Sequence, residues 1–294
     1  MQIKIPYIKL SDQWQKEKKD LLKIIDNVLK SGNYVGGDNV DLFEKNISKY
    51  TKSKYTISLN SGTDALTLGM HLLGISRGDE VITPPNSFIA STACIVHIGA
   101  KPVFVDVLKD QNIDPTKIEK AITKKTKAIM AVHLTGRVCD MISINRIAKK
   151  YNLLVIEDSA QAIGSKFKNK MAGTFGNIGC FSSHPLKNLN SCGDGGFIIT
   201  NNKKIYSKAK LLRNHGLEKR NTVKEFGYVS RMDNLQAAIL NYRLKKLNTV
   251  IKIRRKNAKR YFEKITAKNI LLPFESKNEF NTYHTFVIQT KNRD

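Results

Sequence analysis

Short apolar runs alternate with longer amphipathic segments along most of this chain. Seven runs have the length and apolar content of buried strands: residues 55–59, 80–83, 102–107, 128–133, 153–157, 178–182 and 196–200. Apolar residues recur at helical spacing between them, which predicts helices at residues 18–30, 41–50, 64–73, 87–98, 115–121 and 143–151. This alternation predicts an α/β fold, with a seven-stranded, mostly parallel sheet flanked by helices on both faces.

The last fifth of the chain departs from this alternation. A long helical pattern starts near Arg231, is broken or bent at most around residues 245–248, and leads away from the predicted sheet. A final strand is expected at residues 284–290. We therefore predict a large domain over residues 13–240 and a partial, smaller α+β domain over residues 241–294, with residues 1–12 packing nearby.

Composition narrows the class of protein. A chain of 294 residues with 41% hydrophobic content can bury a substantial core. Its formal charge of +25 raises the possibility of a nucleic-acid partner. However, the lysines are scattered over helix faces and loops without interleaved aromatic residues, so we expect no nucleic-acid partner. The densest basic patch spans residues 252–259 on the predicted long helix, and part of the charge can steer an anionic substrate.

Cysteine usage and the N-terminus indicate the compartment. The four cysteines form no CxxC pair and the six histidines do not cluster, so no metal site is expected. The chain starts with the polar stretch MQIKIPYIKL and contains no run of eighteen apolar residues. These features predict a cytoplasmic protein without a membrane partner.

Candidate chemistry lies at the ends of two predicted strands. Asp158 follows the strand at residues 153–157, and Lys187 comes 29 residues later, after the strand at residues 178–182 and before a glycine-rich segment. A lysine and a carboxylate above the carboxyl edge of a sheet suit pyridoxal phosphate, whose pyridine nitrogen must stay protonated to act as an electron sink. For a single lysine in this lysine-rich chain, a solvated surface amine is the ordinary alternative.

A third segment suits the phosphate of such a cofactor. Residues 61–63, Ser-Gly-Thr, connect the strand at residues 55–59 to the helix at residues 64–73. A glycine-containing helix N-terminus binds anions through its free backbone N–H groups. Ordinary helix capping by Ser61 and Thr63 is the alternative, and the two roles can coexist.

An ordered series of segments then points to one family. The series comprises SGNYVGGDNVDLFE from Ser31, NSGTDAL from Asn60, PPNSFIASTACIVHIGAKPVFVDV from Pro84, HLTGR from His133, EDSAQAIGS from Glu157, FSSHPLKNL from Phe181, GDGG from Gly193 and RNHGL from Arg213. With the opening IPYIKL, it resembles the DegT/DnrJ/EryC1/StrS family of sugar aminotransferases over almost the whole chain. Members are fold type I enzymes that use pyridoxal phosphate to aminate nucleotide-linked keto sugars.

The resemblance assigns a role to each matching residue. Lys187 is implied to form the internal aldimine and Asp158 to pair with the pyridinium nitrogen. The remaining implied cofactor contacts are Gln161 to the phenolic oxygen, Gly62, Thr63 and Ser182 to the phosphate, and Phe88 stacked on the ring. Spacing alone would instead favour a core aromatic at Phe88. Substrate contacts are suggested for His184, Arg213 and His215, with a structural role as the alternative for His184.

Two departures from the family pattern stand out. The family's Gly-Tyr-Asn-x-Arg, whose asparagine reaches the phosphate in the neighbouring subunit, is here Gly227-Tyr228-Val229-Ser230-Arg231. Valine cannot donate that hydrogen bond. Either Ser230 substitutes for the asparagine or cofactor affinity is lower. The family also normally continues well beyond the position of Asp294, so we expect the small domain to be truncated.

The expected activity follows from the resemblance. An amino group moves from an amino acid, with L-glutamate as the expected donor, to a nucleotide-linked keto sugar used in amino-sugar or surface-polysaccharide synthesis. A homodimer with shared active sites is implied. The alternatives are a non-catalytic or regulatory member, a dehydratase-like relative in which histidine replaces the lysine, and a fold type I enzyme acting on amino acids alone. Lys187 argues against the dehydratase-like relative.

Overall fold

The computed structural model describes residues 6–291 and shows the predicted alternation of helices and strands. The helices described are α1 Leu10–Ser31, α2 Asp38–Thr51, α3 Gly62–Leu72, α4 Ile89–His97, α5 Pro115–Ala121, α6 Met141–Lys150, α7 Lys203–Leu212, α8 Asn234–Leu244 and α9 Leu247–Lys264. The main strands are β1 Tyr55–Leu59, β2 Glu80–Thr83, β3 Lys101–Phe104, β4 Thr126–Val132, β5 Leu154–Asp158, β8 Ile178–Ser182 and β9 Gly196–Thr200. Short strands are β6 Lys166–Phe167, β7 Lys170–Met171, β10 Leu217–Lys219, β11 Thr222–Val223, β12 Ile270–Leu271, β13 Glu279–Phe280 and β14 Gln289–Thr290.

The seven main strands form one sheet in the order β1-β9-β8-β5-β4-β2-β3. Strand β9 is antiparallel to both of its neighbours, whereas the pairings from β8 through β3 are all parallel. The predicted mostly parallel seven-stranded sheet is therefore confirmed. Because the parallel strands share one direction, their carboxyl ends lie along one edge, where ligands bind in open α/β sheets.

Successive side chains of the central strands enter different cores. Ile198 packs with Leu66 of α3, whereas the next residue, Ile199, packs with Phe43 of α2. Strands buried on both faces read as continuous apolar runs rather than alternating ones, which explains why β2 and β9 were recognisable in the sequence. Helices cover both faces of the sheet, as predicted.

The model departs from the predicted elements in two places. Helix α7 was not predicted, although Asn202 caps its first turn and Ala209 and Leu212 form its buried stripe. The strand expected at residues 284–290 is wrong: only β14, Gln289–Thr290, is a strand, paired with β12. The segment before it is held to α9 instead, because Arg254 donates hydrogen bonds to two of its backbone carbonyls.

The long helical pattern after Arg231 consists of two helices, α8 and α9, which are separated at residues 245–246 as expected. Strand β13 pairs with β6 of the β6–β7 hairpin, so residues 241–291 share a small sheet with the predicted large domain. The division into two domains stays a prediction. Residues 1–5 and 292–294 of the predicted terminal regions lie outside the described residues. Within residues 6–291, no helix combines the length and apolar character needed to cross a bilayer.

Candidate active site

A cavity of about 1140 Å³ opens above the carboxyl edge of the sheet. It is somewhat larger than the roughly 300–1,000 Å³ typical of small-molecule sites. Its walls bring together eight of the residues singled out in the sequence: Gly62, Thr63, Phe88, Asp158, Gln161, Ser182, His184 and Lys187. They converge because Asp158 ends β5, Ser182 ends the neighbouring β8, and α3 begins just after β1.

The N-terminus of α3 forms one wall of the cavity. Ser61 caps the helix by accepting a hydrogen bond from the Asp64 N–H at 3.0 Å, which confirms the capping role. Gly62 and Thr63 are the first two helical residues, whose N–H groups have no acceptor within a helix. A Cβ at Gly62 would lie 2.5 Å from the Ser182 Cβ, so only glycine lets the helix start this close to β8. The result is a helix N-terminus with free N–H groups at the cavity wall, which suits a phosphate or another anion.

Asp158 is held rigidly at the end of β5. Its side chain is 5% exposed, its Oδ2 accepts from the Ser91 hydroxyl at 2.6 Å, and its Oδ1 accepts from the Ala160 N–H at 3.1 Å. The Ser91 Oγ lies 2.6 Å from the Ser87 Oγ, and Ser87 lines the cavity. This chain of hydroxyls fixes the carboxylate that a protonated pyridine nitrogen requires.

A buried hydrogen-bond network stabilises the strand end next to Asp158. Glu157 is fully buried and accepts hydrogen bonds from three backbone N–H groups within residues 173–176, at 2.6–2.7 Å. The His133 Nδ1 accepts from the Cys139 N–H, so Nε2 carries the proton that faces Glu157 at 2.8 Å. Because Glu157 is satisfied on both oxygens, it anchors β5 rather than contributing a free carboxylate to the cavity.

Lys187 is mostly buried in the cavity wall. Burial lowers the pKa of its amine, and the negative charge of Asp158 partly opposes that shift. Its backbone N–H donates to the His184 carbonyl at 2.8 Å, which fixes the turn that carries it. A lowered pKa increases the fraction of neutral amine, the form that attacks a carbonyl carbon. The surface-amine alternative for Lys187 is therefore wrong.

Three further residues complete the predicted group. Gln161 accepts the Thr135 N–H at 2.8 Å through its carbonyl oxygen, which leaves its NH₂ group for a ligand. Phe88 precedes α4 and is 70% exposed at the cavity, so the core position favoured by spacing alone is wrong. His184 lines the cavity, and its Nδ1 accepts the Leu186 N–H at 3.3 Å.

Arg213 and His215 do not join this cavity. Arg213 follows α7 and donates to the Glu44 carboxylate and, at 2.9 Å, to the Ser58 carbonyl. His215 is exposed beyond the same helix, with a positive φ of 59°. Neither is among the described residues that line the cavity. The placement of Arg213 corrects its suggested substrate contact, because its charge is already paired within the fold.

In the segment that departs from the family pattern, residues 227–231, Val229 and Ser230 differ in exposure. Val229 is 57% exposed, whereas Ser230 is 1% exposed. The Ser230 hydroxyl lies 3.3 Å from the Asn60 Oδ1 of the same chain. Because that hydroxyl points inward, it is not available to replace the family's asparagine at a neighbouring subunit.

The polar cavity residues that sequence reasoning missed include Ser91, Arg254 and His284. Ser91 lay inside a quoted family segment, and Arg254 belonged to the densest basic patch, so both carried a weak signal. His284 carried none, since a histidine in a predicted strand indicates no particular partner. Ser91 lies against Asp158, and the other two line the cavity, where His284 is within electrostatic range of Lys187.

The sheet and the cavity define a class of protein, the pyridoxal-phosphate-dependent enzymes of fold type I. The N-terminus of α3, the fixed carboxylate of Asp158 and the buried amine of Lys187 fit the phosphate, the pyridine nitrogen and the aldehyde carbon of that cofactor. The model of the DegT/DnrJ/EryC1/StrS aminotransferase family matches residues 15–294. The chain belongs to that family, which confirms the resemblance seen in the sequence.

Relatives and solved structures agree with this assignment. The chain is 44% identical over 291 residues to a dTDP-3-amino-3,6-dideoxy-alpha-D-galactopyranose transaminase of Aneurinibacillus thermoaerophilus, covering 99% of this chain and 80% of the relative. It is 38% identical over 294 residues to a pleiotropic regulatory protein of Geobacillus stearothermophilus, with 99% and 79% covered. The crystal structure of S. venezuelae DesV in complex with a ketimine intermediate matches with a TM-score of 0.95 at 34% identity, covering 98% of this chain and 78% of that one. NtdA from Bacillus subtilis, with bound cofactor PMP, matches with a TM-score of 0.91 at 37% identity, covering 98% and 67%.

Proposed function

We propose that this protein is an aminotransferase that moves an amino group from an amino acid, with L-glutamate as the expected donor, to a nucleotide-linked keto sugar. The observation that carries the proposal is the single cavity shared by the buried amine of Lys187, the fixed carboxylate of Asp158 and the N-terminus of α3. Relatives named as sugar-nucleotide transaminases support the substrate class, including a UDP-2-acetamido-2-deoxy-3-oxo-D-glucuronate aminotransferase of Pseudomonas aeruginosa, 37% identical over 291 residues.

The cavity residues have distinct tasks in holding the cofactor. When bound, pyridoxal 5'-phosphate supplies an electron sink for the carbon that carries the amino group. Asp158 keeps a proton on the pyridine nitrogen, because its carboxylate is held in place by the Ser91 hydroxyl. Gly62, Thr63 and Ser182 would hold the phosphate, the Gln161 amide would contact the phenolic oxygen, and the Phe88 ring would pack against the ring face.

Lys187 is the residue that would hold the cofactor covalently and move the proton. Burial lowers the pKa of its amine, which raises the fraction of the uncharged form above that of an exposed lysine. That amine would act as general base and general acid for the proton at the donor's α-carbon. The donor leaves as its oxoacid, and the keto sugar then takes the amino group through the same proton transfers in reverse.

We also infer a homodimer in the cytoplasm. The segment around residues 223–229 exposes Val223, Phe226 and Val229, with Phe226 97% exposed. Apolar side chains exposed together mark an interaction surface, and a second copy of the chain is the expected partner. The four cysteines are free thiols, and three of them are buried, which suits a reducing compartment. Neither a nucleic acid nor a membrane is proposed as a partner.

A regulatory role without catalysis is the second candidate. It is favoured by one observation, the name of the Geobacillus relative. Such a protein has no need of a fixed carboxylate and a buried amine in one cavity, so the site geometry favours the enzyme. A dehydratase-like relative is disfavoured by the presence of Lys187.

Spectroscopy with the cofactor tests the proposal. Wild-type protein and Lys187→Ala would be mixed with pyridoxal 5'-phosphate and then with L-glutamate. We expect the visible absorbance of the covalently bound aldehyde cofactor in the wild type alone, and its conversion to the amine form by L-glutamate. A bound cofactor that neither L-glutamate nor other amino acids convert would favour the regulatory candidate. Equal spectra for the two proteins would remove Lys187 from its role.

A further inference from the structure

Arg254 of α9 lines the active-site cavity with one edge of its guanidinium anchored. Its Nη1 donates to the His284 carbonyl at 2.9 Å and approaches the Tyr283 carbonyl at 3.5 Å. Both acceptors are backbone atoms, so they orient the side chain without neutralising its charge. Since a guanidinium has five N–H donors, the others are left for another partner.

No carboxylate within residues 6–291 pairs with Arg254. Four other arginines with little exposure each bind one: Arg137 with Glu279, Arg213 with Glu44, Arg243 with Glu17, and Arg255 with Glu275. Burial lowers the pKa of Arg254, yet a guanidinium remains charged at neutral pH. A half-buried cation without a counter-charge is costly unless an anion comes to it.

His284 is within electrostatic range of both Arg254 and Lys187. Its imidazole lines the same cavity, and its pKa is lowered to about 3 by burial and by the positive charges of Lys187 and Arg254. The ring is therefore neutral at pH 7 and close enough to both cations to feel their charge. Its Nδ1 is buried and has no hydrogen-bond partner among the described residues. Arg254 thus lies beside His284 in the cavity, next to a polar group that is also unsatisfied.

We propose that Arg254 binds an oxyanion of the substrate, either a carboxylate of the amino donor or a phosphate of the sugar nucleotide. The proposal rests on the proposed function, because both substrates must reach Lys187 and both carry such a group. A planar guanidinium held from one side offers parallel N–H donors to two oxygens of a carboxylate or phosphate. Arg254 is accordingly a substrate-binding residue and takes no part in proton transfer.

The half-reactions of the cofactor-loaded protein show which substrate Arg254 binds. Wild type, Arg254→Gln and Arg254→Lys would be mixed with L-glutamate in one arm. In the other arm, their amine forms would be mixed with a nucleotide-linked keto sugar. Loss of a charge-assisted contact predicts an apparent dissociation constant raised about 10- to 100-fold for one substrate, with the limiting rate within about twofold. Arg254→Lys should recover part of the loss, and Lys256→Gln, an exposed change on the same helix, should match the wild type.

Calorimetry with unreactive anions separates this inference from the proposed function. Glutarate carries the carboxylates of L-glutamate without the amine, and pyrophosphate represents the nucleotide. We expect Arg254→Gln to weaken binding of one of them while its cofactor affinity stays that of the wild type. Equal binding of both anions by wild type, Arg254→Gln and Arg254→Lys would overturn the inference. If L-glutamate left the wild-type cofactor unconverted, the proposed function would fail, and the calorimetry would still decide whether Arg254 binds anions.

Discussion

Replacing Arg213 by methionine distinguishes a structural role from the substrate contact expected from sequence. The guanidinium of Arg213 binds the Glu44 carboxylate, the Ser58 carbonyl at 2.9 Å and the Ser58 hydroxyl at 3.2 Å. Glu44 is 7% exposed, and it also accepts from the Ser58 N–H at 2.9 Å and the Ser58 hydroxyl at 2.8 Å. In Arg213→Met the Glu44 carboxylate would stay buried without its counter-charge.

The expected cost is large for a single substitution. Removing one partner of a buried ion pair typically destabilises a protein by about 3–5 kcal/mol. The side chains of Arg213 and Glu44 are 13% and 8% exposed, which places the pair in that range rather than among surface pairs worth about 0–1 kcal/mol. Catalysis should change little, because Arg213 lies outside the cavity that holds Lys187.

Urea unfolding and steady-state kinetics measure the two effects separately. Arg213→Met should lower the free energy of unfolding by about 3–5 kcal/mol, with the KM for each substrate within about threefold of the wild type when assayed well below the unfolding transition. The double variant with Glu44→Gln should recover part of the stability, since the amide oxygen keeps the Ser58 hydrogen bond without a charge. Unchanged stability together with a KM raised about tenfold or more, roughly 1.4 kcal/mol of lost binding, would refute this reasoning and restore Arg213 as a substrate contact.

Three further predictions concern the cavity. Gly62→Ala should raise the dissociation constant of pyridoxal phosphate in equilibrium dialysis. The new Cβ would lie 2.5 Å from the Cβ of Ser182, and such overpacking costs about 1–3 kcal/mol. An unchanged dissociation constant would contradict the close approach. Ser91→Ala removes the hydroxyl donor to Asp158, a hydrogen bond worth about 1.5–3 kcal/mol, and should reduce turnover. Ser91→Thr keeps the hydroxyl and should retain most of the turnover. Equal losses of turnover in both variants would point to packing instead. Folding lowers the pKa of His284 from 6.5 to about 3, so the unfolded chain binds the proton first as the pH decreases. The stability associated with neutral His284 is therefore complete above pH 6.5 and is lost progressively toward pH 3. In chemical unfolding, His284→Asn should therefore lose about 2 kcal/mol less stability than the wild type between pH 7 and pH 5, and equal losses would refute the assignment.

Much of the sheet was predictable because its strands are buried on both faces. The apolar runs at residues 55–59, 80–83, 178–182 and 196–200 match β1, β2, β8 and β9 residue for residue. Helix α7 was missed although its apolar stripe is visible, since lysines occupy four of its ten positions and mask the pattern. The strand expected at residues 284–290 failed for a tertiary reason, because the carbonyls of Tyr283 and His284, at its start, bind Arg254 instead of a neighbouring strand.

In the candidate site, too, positions set by the strands were predictable, whereas tertiary contacts were not. Asp158 and Ser182 could be placed together because strand ends meet at one edge of a parallel sheet. The partner of Asp158 could not be predicted, since Ser91 is 67 residues away and becomes its neighbour only when α4 packs against the sheet. Arg213 was misjudged for a related reason. Its residue type suits a substrate anion, but only the fold reveals that its charge is already paired with Glu44.

The antiparallel strand β9 determines when the cofactor cradle can form during synthesis. In the seven-stranded sheet, β1 pairs with β9 alone, so residues 55–59 have no strand partner until residues 196–200 have left the ribosome. The same pairing brings Gly196 against Ser61, where a Cβ would lie 2.3 Å from the Ser61 carbonyl oxygen. Contacts between such distant residues form slowly. A nascent chain that ends before residues 196–200 therefore has no assembled phosphate cradle. Binding of the cofactor would show that β1 and β9 have paired.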